Sequence, residues 1–187
     1  MKHNFLIVVD MQNDFVNGSL GTKEAQGIVP RVVNRIKRAK EQHEHIIFTK
    51  DTHQAEYLTT HEGKNLPVYH CVKGSEGWNI QQDVWDAVSG CVVTIFEKPA
   101  FGSLDLMEYM SDYIGNQGVN DKDLDIELVG LCTDICVVSN ALMLRSVFPE
   151  AEISVRASCC AGVTPDKHNA ALEVMRSCHI KVIEGEE

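Results

Sequence analysis

Hydrophobic positions along this chain fall into short continuous runs and not into an alternating pattern. Continuous apolar runs are typical of parallel strands that are covered on both faces of a sheet. Six strands are predicted on this basis: Phe5–Val9, Ile46–Thr49, Val92–Phe96, Ile126–Gly130, Ile153–Val155 and Ile180–Ile183.

Segments whose apolar residues have helical spacing lie between several of these runs. Apolar residues three and four apart mark a helix over Val29–Ala39, with Lys and Arg at the intervening positions. A shorter helix is predicted around Leu104–Met110, an almost wholly apolar one over Ile135–Phe148, and a last one that begins at Pro165. Strands that alternate with helices predict an α/β protein, with a three-layer α/β/α Rossmann-like fold around a mostly parallel six-stranded sheet.

The stretch Asp51–Ser89 interrupts this alternation. It is rich in Gly, His, Thr and charged residues, which indicates long functional loops and not a second domain. We therefore expect a single domain over residues 1–187, with an insertion around residues 51–89 that carries metal or substrate ligands.

Charge and cysteine content narrow the partners and the compartment. The 187 residues include 27 acidic and 17 basic side chains, a net charge of −10 without a basic stripe, so we expect neither nucleic acid nor a membrane surface as partner. The opening apolar run is too short for a signal peptide or a membrane span. Seven cysteines, an odd number, favour reduced thiols over disulfides, and we expect a cytoplasmic protein.

Ligands bind beyond the carboxyl ends of the strands in such sheets, so the polar residues there are the candidates for chemistry. Asp10 directly follows the first strand. Partial burial there would raise the pKa of its carboxyl group and make it a proton acceptor. The alternative is an Asp that caps the following turn.

Cys136, in GLCTDICVV, is the candidate nucleophile. Thr133 as helix N-cap would place Cys136 in the first turn, where the helix dipole favours thiolate and backbone N–H groups could hold an oxyanion. The alternative is a small buried hydrophobe. That second interpretation is the one we adopt for Cys71, Cys91, Cys159, Cys160 and Cys178.

Lys98 follows the third predicted strand, and Pro99 fixes the turn after it. An ammonium group near Cys136 would lower the pKa of the thiol and stabilise developing negative charge. A solvated lysine is the alternative. The case for Lys98 depends on its sharing a sheet edge with Asp10 and Cys136.

The stretch after the second strand holds potential metal ligands. Asp51 and His53, two residues apart, can face one side together, and His61, Glu62 and His70 are further candidates from the loop. Mixed imidazole and carboxylate ligands suit zinc, iron or manganese. The alternative is a solvated polar loop.

These clusters, in this order, resemble the isochorismatase-like cysteine hydrolase superfamily and, within it, the nicotinamidase branch. The resemblance covers nearly the whole chain, through FLIVVDMQNDF, TKDTH, LPVYHC, EKPAF, GLCTDICV and CCAGVTPDKHNAAL. Each motif alone is weakly specific, whereas the ordered combination is specific. The resemblance implies the isochorismatase-like hydrolase fold and a catalytic triad of Asp10, Lys98 and Cys136.

The resemblance also implies a divalent metal beside the substrate, with zinc expected and iron or manganese as alternatives. Its ligands would be Asp51, His53 and His70, with a fourth from the intervening loop. Glu62 is our choice for that fourth ligand and His61 the alternative.

Substrate contacts follow from the same resemblance. A cis peptide bond is expected between Leu131 and Cys132, and it would turn the Cys132 and Cys136 N–H groups toward one oxyanion. Phe15 and Phe101 match the aromatic residues that stack on the substrate ring.

The implied reaction is the hydrolysis of a small amide through a cysteine thioester. Nicotinamide, giving nicotinate and ammonia in NAD salvage, is the leading substrate. Two departures from the branch concern this pocket: Pro67-Val68-Tyr69 stands where a bulky aromatic residue is often found, and Cys132 replaces a smaller residue. The alternative within the superfamily is a metal-independent carbamoyl amide hydrolase. The isochorismatases proper lack the nucleophilic cysteine.

Two rivals come from other classes. A haloacid-dehalogenase-like phosphatase would need a second Asp at position 12, which is Gln here. A metal-binding protein without turnover would be expected to lack a member of the triad. The apolar helix over Ile135–Phe148 suggests burial against a second subunit, so a homo-oligomer is expected.

Overall fold

The computed structural model describes residues 2–185. Its centre is a six-stranded sheet in the order β3-β2-β1-β4-β5-β6, and all neighbouring strands are parallel. The predicted fold class is thereby confirmed. The strands are β1 (His3–Val9), β2 (His45–Asp51), β3 (Thr94–Lys98), β4 (Leu124–Leu131), β5 (Glu152–Ala161) and β6 (Lys181–Ile183).

Helices cover both faces of the sheet. They are α1 (Asn13–Val16), α2 (Lys23–Glu41), α3 (His61–Asn65), α4 (Gln82–Ala87), α5 (Leu104–Gln117), α6 (Val138–Val147) and α7 (Pro165–Ser177). Helices α2 and α4 pack on one face, and α5, α6 and α7 pack on the other. From β1 the chain adds β2 and β3 on one side of the sheet, and it then returns to add β4, β5 and β6 on the other side of β1. Such folds form their binding crevice at this switch point, between β1 and β4.

The continuous apolar run of β1 follows from this double cover. Phe5, Ile7 and Val9 point into the core beneath α5 and α6, whereas Leu6 and Val8 point into the core beneath α2. All five side chains are buried. A strand of this kind must be apolar on both sides, which explains why the sequence does not alternate.

All six predicted strands are found, with shifted bounds, and β3 and β5 differ most from the prediction. Val92 is 98% exposed, and β3 begins only at Thr94. Strand β5 is longer than predicted and runs through Arg156, whose charge ended the apparent apolar run. Arg156 is accommodated inside the sheet because its side chain pairs with buried Glu127.

Helix α2 also begins earlier than predicted. The Thr22 hydroxyl caps it by accepting a hydrogen bond from Ala25 N–H at 3.0 Å, and the helix continues through Pro30. The insertion over residues 51–89 is not loop throughout. It contains α3 and α4, and Val84 and Ala87 of α4 are buried against α2.

The apolar helix after the nucleophile is less enclosed than expected. Ala141 and Leu144 are buried, but Leu142 and Met143 are only partly covered, and Val147 is 44% exposed. The homo-oligomer stays a prediction. Within residues 2–185, no helix is both long enough and apolar enough to span a membrane.

A buried charge cluster lies at the other end of the sheet from the site described below. The Glu127 carboxylate accepts hydrogen bonds from Arg35 Nε at 3.0 Å and from Arg156 Nε at 2.7 Å, and Arg35 also pairs with Glu44 at 2.7 Å. Burial alone would raise the pKa of Glu127, but the two guanidinium groups outweigh it and lower the pKa.

We expect Glu127→Gln to lower the free energy of unfolding at pH 7 by about 3–5 kcal/mol, because it removes the buried carboxylate that pairs with both Arg35 and Arg156. The folded-state pKa of Glu127 lies below its usual value of 4.5, so wild type loses this stabilisation as the pH falls from 4.5 through the folded value. The difference in the free energy of unfolding between wild type and Glu127→Gln should therefore become smaller in acid. Urea unfolding at several pH values measures it.

Asp125→Asn is the matched control, since Asp125 is exposed on the same strand. It should change stability by less than about 0.5 kcal/mol. Equal stability of wild type and Glu127→Gln at pH 7, or a gap that widens in acid, contradicts the assignment.

Candidate active site

Strands β1 and β4 approach each other closely at the switch point, where the crevice lies. Val9 and Gly130 are paired in register, and Gly130 has a φ of +119°. A Cβ at this position would lie 2.1 Å from the Val9 carbonyl oxygen, so only glycine permits the contact. The approach sets Asp10, which follows β1, beside the turn that follows β4.

The structure brings Asp10, Lys98 and Cys136 together. Lys98 Nζ lies 2.7 Å from Asp10 Oδ2, 3.4 Å from Cys136 Sγ and 3.5 Å from Asp51 Oδ1. The Thr49 hydroxyl donates to Asp10 Oδ1 at 2.6 Å, which fixes the carboxylate. Asp10 has a φ of +47°, a conformation that residues other than glycine rarely adopt and that clusters at functional sites.

Burial and charge set the proton positions in this group. Burial raises the pKa of the Asp10 carboxyl, and the Lys98 ammonium offsets only part of that effect. Burial also raises the pKa of the Cys136 thiol well above its usual value of 9.0; the Asp10 charge adds to this, whereas Lys98 opposes it. The expected lowering of the Cys136 thiol pKa is therefore wrong, because burial and the Asp10 charge favour the protonated thiol.

The helix start around Cys136 also differs from the prediction. Residues Thr133–Val137 form a π-helical turn, and no side chain caps it. Thr133 is not the N-cap: its buried hydroxyl instead forms a hydrogen bond of 2.8 Å with His168 Nδ1, tying the turn to α7. Cys136 nevertheless lies within this first turn.

The other cysteines differ in how deeply they are buried. Cys71, Cys159 and Cys160 are buried as expected, whereas Cys91 and Cys178 are only half-buried, which corrects the prediction for those two. All seven cysteines lie within the described residues, and all are free thiols.

Four potential metal ligands converge beside the triad. One donor atom from each of Asp51, His53, Glu62 and His70 lies within 4.8 Å of the others. Asp51 Oδ2 is 2.9 Å from His53 Nε2 and 3.4 Å from His70 Nε2. Glu62 Oε1 is 3.6 Å from His53 Nε2 and 3.8 Å from His70 Nε2. His61 is exposed and lies outside this group.

The chemistry of these donors fits a divalent metal. His70 Nδ1 is 2.9 Å from the Val68 carbonyl oxygen and must donate to it, so Nε2 presents its lone pair to the cluster. His53 Nε2 is buried and has no hydrogen-bond partner of its own. The two histidine side chains, together with Lys98, lower the pKa of Asp51 against the effect of burial. An ionised carboxylate beside two imidazoles is a typical zinc environment.

Two residues of the first motif hold this cluster in place. The fully buried Gln12 amide donates to the carbonyl oxygens of Asp51, at 2.8 Å, and Trp78, at 2.9 Å, and its oxygen accepts from Asp51 N–H at 2.7 Å. Asp14 Oδ2 accepts from Cys71 N–H at 2.8 Å. The sequence analysis gave neither a role, because nothing local shows which loops they meet.

The ring of Tyr57 packs against the rings of His53 and His70. Its buried ring lies 4.4 Å from the His53 ring and 4.9 Å from the His70 ring between centroids, and its hydroxyl donates to Leu66 O at 3.0 Å. Tyr69, by contrast, is 51% exposed and donates to the Ala55 carbonyl oxygen. Tyr69 is therefore turned outward.

A cavity of about 260 Å³ opens onto both clusters. Its walls are mainly apolar, with the Cys136 thiol and the metal-ligand cluster at the polar end. The Leu131–Cys132 peptide bond at its edge is cis. The lining residues include Phe15, Leu20, Asp51, Glu62, Leu66, His70, Phe101, Cys132, Ile135, Cys136 and Val163.

Comparison with known proteins gives matches over the whole chain. The sequence model of the isochorismatase domain matches residues 4–187. A nicotinamidase of Schizosaccharomyces pombe is 30% identical, over 97% of this chain and 93% of that protein. A nicotinamidase/pyrazinamidase of Mycobacterium tuberculosis is 26% identical, over 95% and 97%. The crystal structure of pyrazinamidase of Pyrococcus horikoshii in complex with zinc has a TM-score of 0.76 at 26% identity, over 98% and 99%.

We expect the charges around Cys136 to control its alkylation. Asp10→Asn removes the negative charge that raises the thiol pKa and keeps the opposing Lys98, so iodoacetamide should modify Cys136 faster at pH 7. Lys98→Met should slow the modification. Mass spectrometry of the Cys136 peptide measures both rates, and Cys91 in the same samples is the internal control. Slower alkylation in Asp10→Asn contradicts this electrostatic account.

Proposed function

Because this chain belongs to the isochorismatase family and lies in its nicotinamidase branch, whose members are hydrolases of amide C–N bonds, we propose that it hydrolyses nicotinamide to nicotinate and ammonia. One observation carries the proposal. A buried carboxylate, ammonium and thiol lie in contact at one end of a small apolar cavity, beside a set of metal-type ligands. The completeness of this triad argues against a purely metal-binding protein.

In the first half-reaction Asp10 acts as the base. As the Cys136 sulfur attacks the amide carbonyl carbon, its proton passes to the Asp10 carboxylate, whose raised pKa suits it to hold that proton. Lys98 stabilises the negative charge that develops on sulfur. The backbone N–H groups of Cys132 and Cys136 bind the tetrahedral oxyanion.

Loss of ammonia completes the first half-reaction, and hydrolysis of the thioester in the second restores the free enzyme. The tetrahedral intermediate collapses, Asp10 returns the proton to the leaving nitrogen, and ammonia departs while the acyl group stays on Cys136 as a thioester. Asp10 then takes a proton from a water molecule that attacks the thioester carbonyl. The C–S bond breaks, the acid leaves, and the proton returns to the Cys136 sulfur.

A divalent metal would be held by Asp51, His53, Glu62 and His70, with zinc as the proposed ion and iron or manganese as alternatives. When bound, it supplies a Lewis acid that orients a ring nitrogen or a water molecule in the cavity. Gln12 contributes by fixing the backbone of Asp51. Lys98 lies within 3.5 Å of the Asp10 and Asp51 carboxylates, and Glu62 adds a third carboxylate to the ligand cluster; this negative charge favours a cation.

The cavity walls support a planar aromatic amide as substrate. Phe15 and Phe101 supply aromatic surface, and Leu66 adds aliphatic surface, whereas Tyr69 is turned outward. Burial raises the pKa of the Cys132 thiol to about 12, so this side chain presents a neutral surface to the substrate. The alternative, a carbamoyl amide, would use the same triad without the metal.

Purified protein should release ammonia from nicotinamide and pyrazinamide much faster than from carbamoyl amides or small aliphatic amides. Cys136→Ala should reduce the rate by a factor of about 10⁴ or more, because it removes the nucleophile. Cys91→Ala, which lies away from the cavity, should retain full activity. Turnover of nicotinamide by Cys136→Ala would refute the assigned nucleophile, and preference for carbamoyl amides would refute the substrate.

The amount of bound metal should depend on the four ligands Asp51, His53, Glu62 and His70. Metal analysis of wild type should give one divalent ion per chain, and His53→Ala or Glu62→Gln should lose most of it because each removes a ligand. His61→Ala is the matched control from the adjacent position and should keep the ion. Retention of metal by Glu62→Gln with loss in His61→Ala would make His61 the fourth ligand. A metal-free wild type that is unaffected by chelators or added zinc contradicts the site.

A further inference from the structure

The side chain of Asn140 joins two segments of the site that are far apart in sequence. Asn140 lies in α6, one turn after Cys136, and is fully buried. Its Nδ2 donates to the carbonyl oxygens of Cys136, at 2.8 Å, and Phe101, at 3.2 Å. Its Oδ1 accepts from Ser103 N–H at 3.0 Å. Both amide protons and the oxygen are therefore used.

The segment that Asn140 holds is the loop over residues 99–103, between β3 and α5. Lys98 Nζ donates to the Ala100 carbonyl oxygen at 3.1 Å, so the catalytic ammonium fastens the start of the loop. Asn140 fastens its end. Between these attachments Phe101 lines the cavity while remaining 47% exposed. Contacts of its ring alone would not hold so exposed a residue in one position.

We propose that Asn140 is a positioning residue that holds Phe101 against the substrate cavity at a fixed distance from Cys136. The proposal rests on the proposed amidase function, since Phe101 is taken there as a wall for the substrate. Asn140 itself touches no reacting atom. Its effect passes through the backbone of residues 99–103, which it ties to the turn that carries the nucleophile.

The hydrogen-bond chemistry explains why an amide is needed here. Two carbonyl oxygens require donors and one N–H group requires an acceptor, and only Asn or Gln supplies both on one side chain. In Asn140→Asp the volume and the acceptor for Ser103 remain, but a buried carboxylate faces two carbonyl oxygens. In Asn140→Ala all three bonds are lost, and the buried groups of the loop are left unsatisfied.

Steady-state kinetics with nicotinamide test the role through a double-mutant cycle with Phe101→Ala. Asn140→Asp and Asn140→Ala should each lower kcat/KM by about tenfold or more, mainly through a higher KM. In the Phe101→Ala background either change should have less than about a twofold further effect, because the wall it positions is already gone. Ser139→Ala is the matched control: Ser139 bonds back to Ile135 O on the same helix and contacts no part of the loop.

A second readout does not depend on turnover. Amide hydrogen exchange at residues 100–103 should be about tenfold faster or more in both Asn140 variants and unchanged in Ser139→Ala. In Asn140→Ala, which adds no charge near the thiol, iodoacetamide modification of Cys136 should stay within about twofold of wild type, which shows that the nucleophile is intact.

The possible outcomes distinguish the proposed amidase function from the positioning role of Asn140. Absence of nicotinamide turnover in wild type overturns the proposed function, while hydrogen exchange still decides whether Asn140 orders the loop. Unchanged exchange in both variants, or full additivity with Phe101→Ala, overturns the positioning role. A variant that unfolds is recognised by thermal melting, and Asn140→Asp, which preserves volume, then carries the test.

Discussion

One buried ammonium group holds the site together. Lys98 Nζ lies within 3.5 Å of carboxylate oxygens from Asp10 and Asp51 and of the Cys136 sulfur, and its side chain is 1% exposed. Burial alone would lower the pKa of Lys98, but the surrounding carboxylates and thiol raise it. In a site with little water to screen charge, the two carboxylates would repel each other strongly without this cation. The convergence of four strand ends therefore depends on Lys98 remaining charged.

The balance between burial and charge differs between two parts of the site. Near Cys136, burial and the Asp10 charge raise the pKa of the thiol, and burial also raises the pKa of Asp10 itself. In the neighbouring cluster, the Asp51 and Glu62 carboxylates face two histidines, and this negative charge favours a divalent cation. Asp51 lies at the border, because its two oxygens contact Lys98 and the histidines separately.

The fold and much of the site could be predicted because they follow from local sequence. Asp10 and Lys98 come directly after apolar strands, and parallel strand ends meet at one edge of a sheet. The protonation state of Cys136 could not be predicted in this way, since it depends on the sum of buried charges from distant segments. Gln12 and Asn140 were missed for a related reason: a buried amide acts through the loops it joins, and those contacts exist only in the folded chain.

The central claim is that Lys98 stays an ammonium ion within this buried cluster. Its Nζ resonance, followed by nuclear magnetic resonance across alkaline pH in isotopically labelled protein, measures this directly. The account predicts that Lys98 remains protonated at pH values where ordinary lysines, with a pKa of 10.5, have lost their proton. Titration of Lys98 at or below 10.5 would contradict it.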